Sequence, residues 1–544
     1  MGLATIEGYQ GNNLADAYHV AACMKHFLGY SMPRTGKDRT PVYIDEIQLR
    51  EYFLPTFQAA INAGAATVMV NSGELNGIPV HADKKILTDL LRSELGFKGV
   101  AVTDWEDIMK LNNIHMVAPT LKDAVYMAID AGIDMCMVPN DYDFTILLTE
   151  LVKEGKISEA RLDVSVKRIL ELKKQLGLFE QPFTPANTDY KKFGSTEFAR
   201  AAQNMAEESI TLLKNNNQVL PIQQSAKILV TGPAANSMTY LNGAWTRTWQ
   251  GTDTIWNDQS KYTIREAFNP ATTTFIASDN MSDADVREKM FTAAKASDVI
   301  IICLGEKPST EKVGDIDALT MPDNQQQLVG LLKSTGKPVV LVLVENRPLI
   351  VNDIEPLCDA IVLVYEPGDY GGLALANIIY GKVNPSGKLP FTYPRHEASL
   401  LWYDHKHTET LDQTFGRKAF NPQWEFGYGL SYTTFQYSNL KISNDTLSTG
   451  NLQISVDVTN TGTTTGKEVV QFYIADRYAS ITPSVKRLRG FEKVEIKPGT
   501  THIVSFTISA KDLAFVGRDE KWISEAGWFD IMLGSEKSSF YLSK

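Results

Sequence analysis

Apolar runs of strand length alternate with longer amphipathic stretches along residues 20 to about 178. The runs lie at 20–27, 66–71, 99–103 and 133–138, and helical patterns fall near 46–63, 84–95, 121–131 and 159–176. This alternation predicts four βα units around a parallel sheet. Thr120 stands where the third helix would take its N-cap, Gly132 where it would stop, and Gly177 where the last unit would close.

A polar connector around 180–196 and a helix near 197–214 lead to further apolar runs at 227–232, 299–305, 339–344 and 360–365, again separated by helical segments. They predict a second α/β region with an open sheet, ended by the turn chemistry of Asn384-Pro385-Ser386-Gly387-Lys388-Leu389-Pro390. From about 436 the helical patterns stop. Strands expected at 452–458, 468–474, 502–508 and 528–533, with turns at Asn460-Thr461-Gly462 and Lys497-Pro498-Gly499, suggest a β-sandwich of immunoglobulin-like or fibronectin type III character.

Composition narrows the function classes. A chain of 544 residues suggests about three domains, and 43% hydrophobic with 10% aromatic residues describes packed domains rather than disorder. Lys and Arg total 53 against 64 for Asp and Glu, and the net charge of −11 argues against a nucleic-acid partner. The 4 cysteines, Cys23, Cys136, Cys303 and Cys358, are widely scattered, which predicts buried thiols rather than a disulfide framework or a zinc site. No uninterrupted run of about eighteen apolar residues predicts a membrane span. The opening Met1-Gly2-Leu3-Ala4-Thr5-Ile6-Glu7 lacks a basic n-region and an apolar h-region, so no address is read from it.

Candidate chemistry gathers at strand ends. Asp104 closes the run at 99–103 and is followed at once by Trp105; in a parallel sheet that end faces the ligand crevice. Lys25 and His26 lie near the end of the first run, so the same rim would gather all three. In the second α/β region the polar stretch Gly305 to Asp315, with Glu306, Glu311 and Asp315, follows an apolar strand directly, as an active-site loop would. Two carboxylates, one nucleophile and one proton donor, suit glycosidic bond cleavage. Trp105, Trp245 and Trp249 lie in loop-like surroundings and offer faces for sugar rings. No phosphate-binding fingerprint surrounds Gly232-Pro233.

Together these residues resemble glycoside hydrolase family 3, in its multidomain β-glucosidase form. The resemblance runs along nearly the whole chain, through Lys25-His26-Phe27, Asn76-Gly77-Ile78-Pro79-Val80-His81, Glu94-Leu95-Gly96-Phe97-Lys98-Gly99 and Thr103-Asp104-Trp105. It continues through Leu212-Leu213-Lys214-Asn215, Trp245 to Gly251, Gly305-Glu306 to Asp315, Asn384 to Pro390 and Phe426-Gly427-Tyr428-Gly429-Leu430-Ser431-Tyr432. The resemblance implies a TIM-like (β/α)8 barrel region at 1–180 that carries the nucleophile and a linker with a connecting helix at 181–225. An α/β sandwich carrying the acid/base at 226–435 and a fibronectin type III-like domain at 436–544 complete it. Asp104 stands where the family has its nucleophile, and Glu311, in a Thr-Glu-x-x-Gly-Asp loop, where it has the general acid/base. Lys25 and His26 match a pair that hydrogen-bonds sugar hydroxyls in the −1 subsite, Trp105 and Trp249 match aromatics that clamp the +1 sugar, and Glu306 and Asp315 match loop-shaping positions.

The implied activity is that of a retaining, exo-acting β-glucosidase, which cleaves terminal β-D-glucosyl residues from small β-glucosides or cello-oligosaccharides through a covalent glycosyl-enzyme, with no metal or organic cofactor. Such enzymes are often periplasmic or secreted. Alternatives are a β-xylosidase and a β-N-acetylhexosaminidase of the same family; the loop Leu28-Gly29-Tyr30-Ser31-Met32-Pro33-Arg34 lacks the His that the latter uses. An alternative of another class is a catalytically incompetent carbohydrate-binding or assembly subunit. Two departures bear on this. Ser72, in Asn71-Ser72-Gly73-Glu74, replaces a Tyr of many relatives, which puts that −1 contact and the role of Glu74 in question. The family's barrel also begins upstream of Lys25, with strands that supply an Asp and an Arg to the glycosyl ring. The expectation is therefore the C-terminal half of a barrel, completed by a separate N-terminal chain or covered in a homo-oligomer, because open parallel strands expose apolar faces.

Overall fold

The computed structural model describes residues 1–183, 191–279, 281–399, 402–410 and 419–543. Part of the connector expected at 180–196 lies outside the described residues. The chain divides into two units, Met1–Asp189 with Phe515–Ile523, and Tyr190–Ala514 with Ser524–Lys544.

In the first unit three parallel strands lie in the order β1 (Cys23–Phe27), β2 (Thr67–Val70) and β3 (Val100–Val102). Helix Leu121–Ala131 begins and ends as expected: the Thr120 side chain accepts from the Asp123 amide, and Gly132 follows with a positive φ. Its inward face, Val125 and Ala128, packs with Leu87, Leu91, Val68 and Val70, all fully buried. Burying one such leucine contributes about 1.5–3 kcal/mol. The segment near 46–63 is helical from Glu46 to Asn62, with one wide turn at Leu49–Phe53, and helices Gly2–Gln10 and Asp143–Lys153 add to those expected.

The run at 133–138 is not a strand; only a single bridge joins Val102 to Met135. Asp134 explains this. Its buried carboxylate accepts from the Ala101 amide at 3.0 Å and also binds Arg92 at 2.6 Å, Arg168 at 2.9 Å and the Ser165 hydroxyl at 2.6 Å. A side chain thus occupies the donor that a longer ladder would use. The cysteines differ from expectation as well. All are free thiols, but only Cys303 and Cys358 are buried, while Cys23 points outward from β1.

The second unit contains a six-stranded sheet in the order β4 (Thr211–Asn215), β9 (Ala360–Leu363), β8 (Val339–Val344), β7 (Val299–Gly305), β5 (Ile228–Thr231) and β6 (Thr273–Phe275). All neighbours are parallel except β4, which runs antiparallel to β9. The helix expected at 197–214 therefore stops earlier: Thr196–Ser209 is helical and the next residues turn into β4. Every residue of β7 and β8 is buried, because apolar clusters cover the sheet on both faces.

The remaining strands form a sandwich. One sheet joins β10 (Phe435–Ile442), β12 (Asn451–Asn460) and β15 (Thr501–Ser509). The other joins β11 (Thr446–Leu447), β17 (Glu536–Leu542), β16 (Gly527–Leu533), β13 (Gly466–Asp476) and β14 (Arg487–Ile496). Alternate residues such as Ile454, Val456, Phe472 and Ile531 meet in its core. The short hairpin Phe515–Val516 with Trp522–Ile523 groups instead with the first unit. No helix among the described residues is long and apolar enough to cross a membrane.

Candidate active site

Asp104 follows β3 directly and is only 7% exposed. Its Oδ1 accepts from the Trp105 amide at 2.6 Å. Its Oδ2 accepts from Arg39 Nη2 at 3.2 Å and lies 3.6 Å from His26 Nε2 and 3.1 Å from Ser72 Oγ. Burial by itself pushes this carboxyl up, but the Trp105 amide, Arg39, His26 and Ser72 together hold it below its ordinary value. The group is thus a desolvated carboxylate kept ionised by its neighbours.

Its surroundings are built from three strand ends. β1 supplies His26, whose ring lies 4.4 Å from that of Tyr30; the Tyr30 hydroxyl donates to Asp38, and Asp38 is paired with Arg39. The chain after β2 supplies Ser72, whose oxygen is also 2.5 Å from Asp107 Oδ2. Asp107 in turn is bound by Lys110 Nζ at 2.6 Å and faces His81 Nε2 at 3.4 Å. Burial pushes His81 down, against the opposing pull of Asp107 and Asp104, so this imidazole stays neutral. Lys25 is exposed and Trp105 is 54% exposed. Glu74 pairs with His115 at 3.3 Å.

In the second unit Glu311 opens a turn at Glu311–Gly314 with a φ of 54°. The loop carrying Trp249 grips it at adjacent points. Trp249 Nε1 donates to Glu311 Oε1 at 3.2 Å. The Gln250 side chain donates to the Thr310 carbonyl at 3.0 Å and accepts from the Thr310 amide at 3.0 Å, a reciprocal clamp on the residue before Glu311. Glu306 anchors the start of the loop, accepting from Arg347 Nε at 2.9 and 3.0 Å. Gly305 just before it has no substitute, because a Cβ there would lie 1.8 Å from the Val344 carbonyl oxygen. Beneath this loop Glu345 is 3% exposed, and both its Oε1 and the Leu349 carbonyl lie within hydrogen-bond distance of the Tyr393 hydroxyl, at 2.8 and 2.7 Å. That hydroxyl carries one proton for two acceptors, and burial pushes Glu345 up to about 8, so the carboxyl is neutral and can supply the second proton.

The structure thus brings His26 to Asp104 and Trp249 to Glu311, with the two groups in different units. Arg39, Asp107 and Gln250 were not singled out by the sequence reading. Arg39 lies in an aperiodic loop, 65 residues from its carboxylate, and only its proximity to the expected first strand could have drawn attention to it. Gln250 was within reach, since it sits beside Trp249 in a stretch already noted. Among the described residues no group of three or more His, Cys, Asp or Glu side chains could hold a metal ion.

Residues 1–172 match the glycosyl hydrolase family 3 N-terminal domain, 210–432 the glycosyl hydrolase family 3 C-terminal domain and 468–537 the fibronectin type III-like domain. The chain is 42% identical to the lysosomal beta glucosidase of Dictyostelium discoideum, with 100% of this chain and 69% of that protein aligned. It is 33% identical to the periplasmic beta-glucosidase of Salmonella typhimurium, covering 99% and 75%. Among solved structures, the beta-glucosidase of Listeria innocua in complex with isofagomine superposes with a TM-score of 0.93 at 29% identity, over 100% of this chain and 78% of that one. The expected architecture, two α/β regions and a fibronectin type III-like sandwich, is that of these matches. The expected absence of half the barrel, and with it a separate N-terminal chain or a homo-oligomer, finds no support in them.

Proposed function

Because the chain belongs to glycoside hydrolase family 3 and is a glycoside hydrolase, we propose that it is a retaining, exo-acting β-glucosidase with Asp104 as nucleophile and Glu311 as general acid/base. The observation that carries the reading is the ionised, largely buried Asp104 carboxylate, held by the Trp105 amide, Arg39 and Ser72. An Asp104 oxygen attacks the anomeric carbon as the glycosidic C–O bond breaks, and the leaving oxygen takes the proton from Glu311. The resulting ester neutralises Asp104. Water then attacks the same carbon, Glu311 as carboxylate takes its proton, and Asp104 leaves as the carboxylate.

In this reading Lys25 and His26 bind hydroxyls of the −1 sugar, Trp105 and Trp249 stack on the +1 sugar, and the substrates are small β-glucosides or cello-oligosaccharides. His26 is supported by its place beside Asp104, and Trp249 by its bond to Glu311. The boundaries at 180, 225 and 435 belong to the same proposal. So does a second chain or second copy over the barrel strands, which an active monomer on size-exclusion chromatography would defeat.

The test is labelling with 2-deoxy-2-fluoro-β-glucosyl fluoride. A mass increase of one fluoroglucosyl group on the peptide that carries Asp104 is expected, together with turnover of aryl β-glucosides and β-glucose as the first-formed anomer. Label elsewhere, or none, would overturn the assignment. Faster turnover of aryl β-xylosides in the same panel would favour the β-xylosidase reading.

A further inference from the structure

From β5 the chain of the second unit runs outward to β6, then crosses back past β5 to β7, so that β6-β5-β7-β8-β9 has the strand order 2-1-3-4-5. In open parallel sheets such a reversal leaves a crevice outside the carboxyl ends of the two strands on either side of it, and ligands bind there. A cavity of about 570 Å³ occupies this place. Pro233 after β5, Asp279 after β6, and Glu306 and Lys307 after β7 line it, with Leu328 of helix Asp323–Lys333 and Tyr240. The volume is that of a small-molecule site.

Tyr240 distinguishes this cavity from an ordinary surface cleft. The residue is 8% exposed and its ring belongs to the apolar cluster on one face of the sheet, while its hydroxyl opens to the cavity that the residue lines. Burial, then Asp279 and Glu306, push this phenol up, so it keeps its proton and stands as a donor. The formal charges around it balance in number: Glu306 is paired with Arg347, and the lining also holds one acid, Asp279, and one base, Lys307. Donors and acceptors are therefore interspersed without net charge, beside the apolar faces of Pro233 and Leu328. That mixture matches vicinal hydroxyls on a ring with aliphatic faces, and suits neither an anion nor a cation.

We propose that this crevice binds a neutral polyhydroxylated ligand, a saccharide of one or two rings, independently of Asp104. The choice of a saccharide rests on the reading of the chain as a β-glucosidase, while the existence of the site does not.

The test uses the full chain after covalent labelling of Asp104 by the fluoroglucosyl fluoride, with occupancy checked by intact mass. Saturation-transfer NMR with glucose and with cellobiose is expected to show binding to the labelled protein. Tyr240→Phe and Asp279→Asn are each expected to weaken it at least fivefold, with kcat/KM for an aryl β-glucoside kept within about twofold. No transfer to the labelled protein, or transfer indifferent to both substitutions, would overturn the proposal, as would a parallel loss of kcat/KM. If no label forms, the reading of Asp104 falls instead. The same titration of unlabelled wild type against Tyr240→Phe then decides the crevice, with unchanged binding overturning it.

Discussion

The two candidate carboxyl groups are held in different ways. Asp104 is gripped by its own oxygens, through an amide, a guanidinium and a hydroxyl, with an imidazole close by. At Glu311 the reciprocal clamp falls on the backbone of its neighbour, Thr310, and an indole touches one oxygen. A group that must stay charged until it attacks gains from direct cationic contacts. A group that must gain and lose a proton in each cycle needs to be placed without being locked into one charge state. Fixing the charge and fixing the position are separate tasks, and in the proposed roles Asp104 calls for the first and Glu311 for the second.

The largest effect should come from removing the charge that is fixed. Asp104→Asn is expected to lower kcat about 10⁴-fold, read as initial rates on an aryl β-glucoside with folding checked by circular dichroism. Next is Glu311→Gln, expected to cost about 10²–10⁴-fold in kcat on substrates with poor leaving groups. The loss should be much smaller on dinitrophenyl glucoside, and azide should restore part of it as β-glucosyl azide. Equal losses on both substrates would break the distinction between the two groups.

Arg39→Met tests how the charge is held. Asp104 lies below its ordinary value in the folded protein, so activity is lost as pH falls through that low value. Without Arg39 the value rises, and the acidic limb of kcat/KM should move to higher pH, with kcat down roughly tenfold. Gln250→Ala tests position instead. Losing two hydrogen bonds worth about 1 kcal/mol each should lower kcat roughly tenfold while the acidic limb stays in place, and Gln250→Asn should not restore the reach.

The smallest effect is expected beneath the loop. Burial raises the Glu345 carboxyl from its ordinary 4.5 to about 8. The folded chain keeps this proton while the unfolded chain releases it, so the contribution to stability is full below about 4.5 and declines until about 8. Glu345→Gln should flatten the fall in melting temperature between pH 5 and pH 8, measured by differential scanning fluorimetry, and leave kcat nearly unchanged. An unaltered slope would show that the carboxyl is ionised throughout.

Uniform patterns were legible in the sequence and local substitutions within them were not. β7 and β8 are apolar at every position because both faces of their sheet are covered, and their bounds match the expectation residue for residue. The run at 133–138 looks equally strand-like, but Asp134 turns its carboxylate into the ladder. β4 was absorbed into the preceding helix, since nothing in Ile210 to Leu213 signals the antiparallel pairing with β9 that makes it a strand. For the candidate site, Asp104 and Glu311 are singled out as candidates by strand ends and motif. Their holders are not, because Arg39 and Gln250 act across 65 and 60 residues of intervening chain.

The hairpin at Phe515–Ile523 gives the chain an unusual order of completion. It lines a cavity with Arg50, Leu54 and Glu94 of the first unit, through Asp519 to Trp522. Residues 1–189 are thus joined in one unit by a piece that is translated later, after the whole of 190–514, a delay on the order of half a minute at about 5–20 residues per second. During synthesis the nascent first unit must wait with that surface open, and a ribosome that stops anywhere before residue 515 releases a first unit that lacks its final piece.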